Sequence, residues 1–113
     1  MATQTITFSC AGFQQNLAAG DILYVLAQSS PRTAQTPSIG VYPGAGATVN
    51  VDVCYSPMSQ VSANQADPLN KWSPWDLGAI TSASTKNDAS FFGYFSALRV
   101  TVTGGPATIT GGL

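Results

Sequence analysis

The side chains in this chain that could do acid–base or electrostatic chemistry are five carboxylates and four cations. They are Asp21, Asp52, Asp67, Asp76 and Asp88, with Arg32, Arg99, Lys71 and Lys86. There is no His and no Glu. A serine or cysteine nucleophile needs a base beside it, and without imidazole the usual triad cannot form. A Ser–Lys pair would have to use Lys71 or Lys86. Both lie in polar stretches, where a solvated charge is the ordinary state. Glycoside hydrolysis by two carboxylates needs them about 5–9 Å apart, and no two Asp fall in a paired arrangement on one predicted strand. Asp21 and Asp67 read as turn residues. Asp52 and Arg99 fall on the polar faces of two predicted strands. That predicts a cross-strand ion pair with a structural role, contributing under about 1 kcal/mol if exposed.

Calcium would need several oxygens on one tight loop, and no Asp-rich loop is present. Gly44 and Gly46 suggest a Gly-rich loop, but no Lys follows and no helix starts there, so a phosphate cradle is not predicted. The two cysteines, Cys10 and Cys54, are expected to be thiols in a reducing compartment. Cys10 shares a strand phase with Ile6 and Phe8, a predicted core face. Cys54 is in phase with Asn50 and Asp52, opposite Val49, Val51 and Val53. Two thiols without His do not complete a tetrahedral metal shell. The expectation is therefore a protein with no catalytic residue, no metal and no cofactor. Trp72 and Trp75 leave three readings open. They could form an exposed platform that stacks on sugars, anchor over the end of the core, or provide a hot spot at a subunit interface.

The elements that must position these residues read as strands separated by turns. Thr5–Cys10 alternates polar and apolar. Asn16–Asp21 reads as a loop. Ile22–Ala27 is a short apolar run, predicting a strand buried on both faces. Gln28–Pro37 is a polar loop rich in Ser, Thr and Pro. Ser38–Tyr42 and Thr48–Tyr55 are predicted to pair as a hairpin closed by Pro43-Gly44-Ala45-Gly46. In the second of them Val49, Val51, Val53 and Tyr55 share one face. Ser56–Pro68 reads as a loop with room for one helical turn. Pro74 excludes a central strand and a helix interior for its segment. Ser82–Ser90 reads as a polar loop, and Phe91–Phe95 as a buried aromatic segment. Ala97–Thr103 alternates with Leu98, Val100 and Val102 on one face, and Ala107–Thr110 returns after Gly104-Gly105-Pro106. The predicted fold is all-β: one domain over residues 1–113, a small antiparallel β-sandwich, Ig-like or jelly-roll, of about seven short strands and no helix.

Charged residues make up 8% of the chain, against roughly 25% in ordinary soluble domains. The net charge is −1, so no basic field is available to hold phosphates, and nucleic acid is not an expected partner. No stretch approaches about 20 apolar residues, so no membrane span is predicted. MATQTITF lacks the features of a signal peptide, which predicts synthesis in a cytoplasm.

Several features recur in a particular order. A Val-alternating strand ends in Tyr55-Ser56-Pro57. Trp72, Trp75 and Gly78 follow, then a polar loop. Phe95-Ser96-Ala97-Leu98-Arg99-Val100 and Thr103-Gly104-Gly105-Pro106-Ala107-Thr108-Ile109 close the series. Over roughly residues 47–110 this order resembles small virion proteins of tailed bacteriophages, most closely capsid decoration (cement) proteins. The resemblance implies a non-enzymatic protein on the outer capsid surface that stabilises the shell by bridging its subunits. Its implied partners are the major capsid protein and its own copies, as a trimer or dimer. Expected contacts are Thr3, Thr5, Ile6 and Phe8 in the N-terminal segment, Arg32 in the 28–37 loop, and Trp72 and Trp75. Two other readings are a carbohydrate-binding surface module of a virion and a tail or neck structural subunit.

Overall fold

A computed structural model of the chain describes residues 2–27, 37–74, 80–91 and 94–113. Among these residues are nine strands and one short helix: β1 (Thr3–Thr7), β2 (Phe13–Leu17), β3 (Ile22–Leu26), β4 (Ser38–Pro43), β5 (Thr48–Cys54), α1 (Met58–Ala63), β6 (Trp72–Pro74), β7 (Asn87–Ser90), β8 (Ala97–Thr103) and β9 (Ala107–Gly112). One sheet has the order β1-β3-β8-β5-β6 and the other β2-β9-β4-β7. Counted from β2, the eight strands lie first-eighth-third-sixth in one sheet and second-seventh-fourth-fifth in the other. That is the strand order of a jelly roll, and it decides between the two sandwich topologies the sequence left open. β1 is additional to the roll. It adds to the edge of β3, and it does so in parallel, Thr3 opposite Ile22 through Thr7 opposite Leu26.

The core lies between the sheets. Val49, Val51 and Val53 of β5 and Leu98, Val100 and Val102 of β8 face it from one side, none more than 1% exposed. Ile39, Val41 and Ile109 face it from the other. Each such side chain contributes about 1.5–3 kcal/mol by leaving water. Phe8, Phe91 and Phe95 also lie in this core, Phe8 edge-on to Phe95 at 6.2 Å and Phe91 5.9 Å from Phe95. As predicted, β3 is covered on both sides, with Leu23, Tyr24 and Val25 all buried.

The predicted hairpin between β4 and β5 does not form, because the two strands belong to different sheets. β5 pairs along its whole length with β8, Thr48 opposite Thr103 through Cys54 opposite Ala97, and β4 pairs likewise with β9. These long ladders replace the local one. The loops between β4 and β5 and between β8 and β9 therefore both cross from sheet to sheet, and they nest. The Gly44 amide donates to the Pro106 carbonyl at 2.8 Å. Gly104 sits at φ +79, where a Cβ would meet the Gly46 carbonyl oxygen.

Other expectations change for local reasons. β2, of which only Asn16 and Leu17 fall in the predicted 16–21 loop and the rest had no assignment, is a strand because Phe13 and Leu17 turn inward while Gln14 and Asn16 face solvent. β7 occupies part of the predicted 82–90 loop, with Ala89 buried as its inward residue. α1 forms where one helical turn had room, and Val61, at 0% exposed, fixes it to Cys54 and Ala97. Cys54 keeps the predicted phase with Asn50 and Asp52 but is buried under this helix. Cys10 is exposed, not in the core, because β1 ends at Thr7 and its phase does not carry through the turn. Tyr55 is 50% exposed because β5 ends one residue before it. Pro74 ends the edge strand β6, a position where its missing amide is tolerated. Among the described residues no helix is long and apolar enough to cross a membrane.

Candidate docking edge and aromatic cleft

β1 brings Thr3, Thr5 and Thr7 to the surface at the free edge of its sheet, with Gln4 and Ile6 half-buried between them. Ile6 packs on the core. Phe8, expected as a contact, is 1% exposed and belongs to the core, so it offers a partner no surface. The strand is anchored at its start by Asp21. One carboxylate oxygen accepts the Ala2 amide at 2.9 Å, and the other accepts the Ala18 amide at 2.9 Å. The bonds from Ala2 and then Ala18 hold the Asp21 carboxyl below its usual range, against the opposing effect of burial. β1 carries no charge, proline or bulge, the devices that normally guard an edge against pairing. At the opposite edge of the sheet, β6 is three residues long and ends in Pro74. Arg32 and Trp75 lie outside the described residues.

The outer face of the same sheet carries the second feature. Asp52 and Arg99 are directly opposite on β5 and β8, and their predicted ion pair is present at 2.9 Å. The Arg99 side chain is 31% exposed and that of Asp52 23%, so solvent screens the pair and its contribution stays under about 1 kcal/mol. The Arg99 guanidinium also lies 4.8 Å from the centre of the Trp72 ring. Trp72 reaches inward from the edge strand to Tyr24, with ring centres 5.7 Å apart. It is half-buried and packs against the small buried cluster of Cys54, Val61 and Ala97, so it sits as an anchor beside the core and does not form a flat exposed platform.

The loop after α1 forms a wall beside these rings. Asn70, 7% exposed, holds it closed. Its Nδ2 donates to the Asn64 and Gln65 carbonyls at 2.9 and 3.0 Å, and its Oδ1 accepts from Gln60 Nε2 at 2.8 Å. Gln65 Nε2 donates to the Val61 carbonyl at 2.9 Å, and its Oε1 accepts from the Thr5 hydroxyl at 3.3 Å. Asp67 behaves as the predicted turn residue, one oxygen accepting the Leu69 amide at 2.9 Å. Between this wall and the sheet is a cleft of about 310 Å³, with Tyr24, Trp72 and Arg99 on one side and Gln65, Asp67 and Asn70 on the other.

Of the two lysines considered for catalysis, Lys71 is exposed and Lys86 places its Nζ 5.7 Å over the Tyr42 ring. Among the described residues no three of the Cys and Asp side chains gather in one place. The segment expected to be buried from Phe91 to Phe95 is buried at those two residues but not at Tyr94, which is 55% exposed and whose hydroxyl donates to the Ser56 carbonyl at 3.0 Å near the exposed Tyr55. Periodicity gave no signal for it, since Tyr94 lies in an irregular stretch between strands. Sequence reasoning missed Tyr24, hidden in an apolar run. Set against protein-family models, curated proteins and solved structures, the chain matches none of them.

Proposed function

We propose that this chain is a non-enzymatic virion structural protein that docks on the outer capsid surface of a tailed bacteriophage and bridges shell subunits. The observation that carries this reading is β1, an uncharged strand added outside a complete eight-strand roll with its outer edge unguarded. Such an edge accepts a further strand from a partner through main-chain hydrogen bonds. Thr3 and Thr5 would face that partner. A surface with so few charges loses little hydration on docking, and a closed β-sandwich needs little ordering. Bound copies then stabilise the shell by mass action. The partners are the major capsid protein and other copies of this chain, as a trimer or dimer around a symmetry axis. The protein is made in the host bacterial cytoplasm and ends on the virion.

The test is co-sedimentation with undecorated capsids, with light scattering giving the mass of the protein alone. The expected results are binding at a fixed number of sites per shell and a raised capsid melting temperature. Thr3→Lys, which places a guarding charge on the exposed edge, should weaken binding without changing the protein's own melting temperature. No binding to any capsid would refute the role, and full binding by Thr3→Lys would refute the edge. A ring or tube in solution would instead favour a tail or neck subunit.

A further inference from the structure

The cleft beside Trp72 contains a group that the fold does not use. Tyr24 is 7% exposed and lines the cleft, yet no described residue hydrogen-bonds its hydroxyl. Buried polar groups are nearly always bonded, so an exception points to water or a ligand. Two other polar groups at the cleft also have capacity to spare. Asp67 has one carboxylate oxygen outside its turn bond. Arg99 meets Asp52 through Nε and Nη2, and no described residue takes its Nη1. The wall that carries Asp67 is held in place by the Asn70 bonds, so these groups are pre-positioned.

We infer that this cleft binds a neutral pyranose sugar. One edge of the sugar ring rests against the exposed part of Trp72 beside Arg99, and its hydroxyls bond to Tyr24, Asp67 and Arg99. The mixture of donors and acceptors suits hydroxyls, which both donate and accept. An acidic sugar or a phosphate fits poorly, because the Arg99 charge is already matched by Asp52 and the nearby Asp67 is negative. An apolar ligand would leave the Tyr24 hydroxyl unbonded. The site lies on the face of the sheet and docking uses the edge of β1; the two touch at the Thr5–Gln65 bond, but Tyr24→Phe alters only the cleft and Thr3→Lys only the edge, so either role can fail without the other.

The test is saturation-transfer NMR on the intact chain with D-glucose, D-galactose, N-acetylglucosamine, L-rhamnose and N-acetylneuraminic acid, each at high millimolar concentration. At least one neutral sugar should bind and shift the Trp72 indole signal. Tyr24→Phe and Asp67→Asn should each weaken it by about fivefold or more, the effect of one lost hydrogen bond in a site. Tyr24→Phe should leave the melting temperature unchanged or raise it, because it removes an unbonded hydroxyl. A lower melting temperature would mean the hydroxyl has a structural partner, and the inference would fail. It would fail equally if no neutral sugar bound, if only N-acetylneuraminic acid bound, or if both variants bound as the parent does.

Discussion

Replacing Gly104 by alanine tests whether the two sheet-crossing loops are as closely nested as described. Gly104 has φ +79, a conformation that costs an L-residue roughly 1–2 kcal/mol. The new methyl would also land against the Gly46 carbonyl oxygen. Relief requires the loops to separate, which endangers the bond from the Gly44 amide to the Pro106 carbonyl. A backbone hydrogen bond contributes about 1 kcal/mol. Together these terms give a loss of about 2–3 kcal/mol. At about 4 °C per kcal/mol for a chain of this size, the melting temperature should fall by about 8–12 °C. Thermal unfolding followed by circular dichroism reads this directly. Gly20→Ala is the control. Gly20 also has positive φ, +88, but lies outside the nested loops, so only the backbone term applies. If Gly104→Ala melted within about 1 °C of Gly20→Ala, the loops would not be in contact and the corner would be wrongly described.

Three further outcomes are expected. The folded Asp21 carboxyl lies below its usual range, so its stabilisation is complete above the unfolded value of about 3.9 and is lost as pH falls through the lower folded value. Asp21→Asn should therefore melt below the parent at neutral pH, with the gap closing in acid; a gap that grew in acid would contradict the assignment. A thiol reagent should label Cys10 in the native protein and Cys54 only after unfolding. Val61→Ala, which loosens α1 by about 2 kcal/mol, should speed labelling of Cys54, and an unchanged rate would show that the helix is not its cover. A double-mutant cycle on Asp52 and Arg99 should give a coupling under about 1 kcal/mol, with a larger value pointing to a far less solvated pair.

What could be read from the sequence, and what could not, divides along the range of the interactions. The strict alternation of Val49, Val51 and Val53 and of Leu98, Val100 and Val102 made their strands and inward faces clear, because a half-buried strand dictates its own period. Asp52 and Arg99 could be paired because both fell on the outer phase of those strands. Strand partners were less accessible. A Gly-rich loop between β4 and β5 fits a hairpin and a sheet crossing equally well, and only the long ladders with β8 and β9 decide between them. The strand β2 escaped notice because Gln14, Gln15 and Asn16 mask its two inward apolar residues. The cleft was only half legible. Trp72 was singled out, but Tyr24 lay in a continuous apolar run, and its place beside Trp72 depends on β3, β8, β5 and β6 lying in that order.

The strand order has a consequence for biosynthesis. β8 lies at the centre of its sheet, and β9 lies between β2 and β4 in the other, yet both are translated after the seven other described strands. Until they emerge from the ribosome, β3 has no neighbour but β1, and β2 and β4 have no strand to join them. Neither half of the core can close on a nascent chain. Folding must wait for the final strands and then proceed in one cooperative step dominated by distant pairings, which is intrinsically slow. In that interval β3 and β5 present strands rich in apolar side chains to their surroundings. Strands exposed in this way are prone to aggregate until their distant partners arrive.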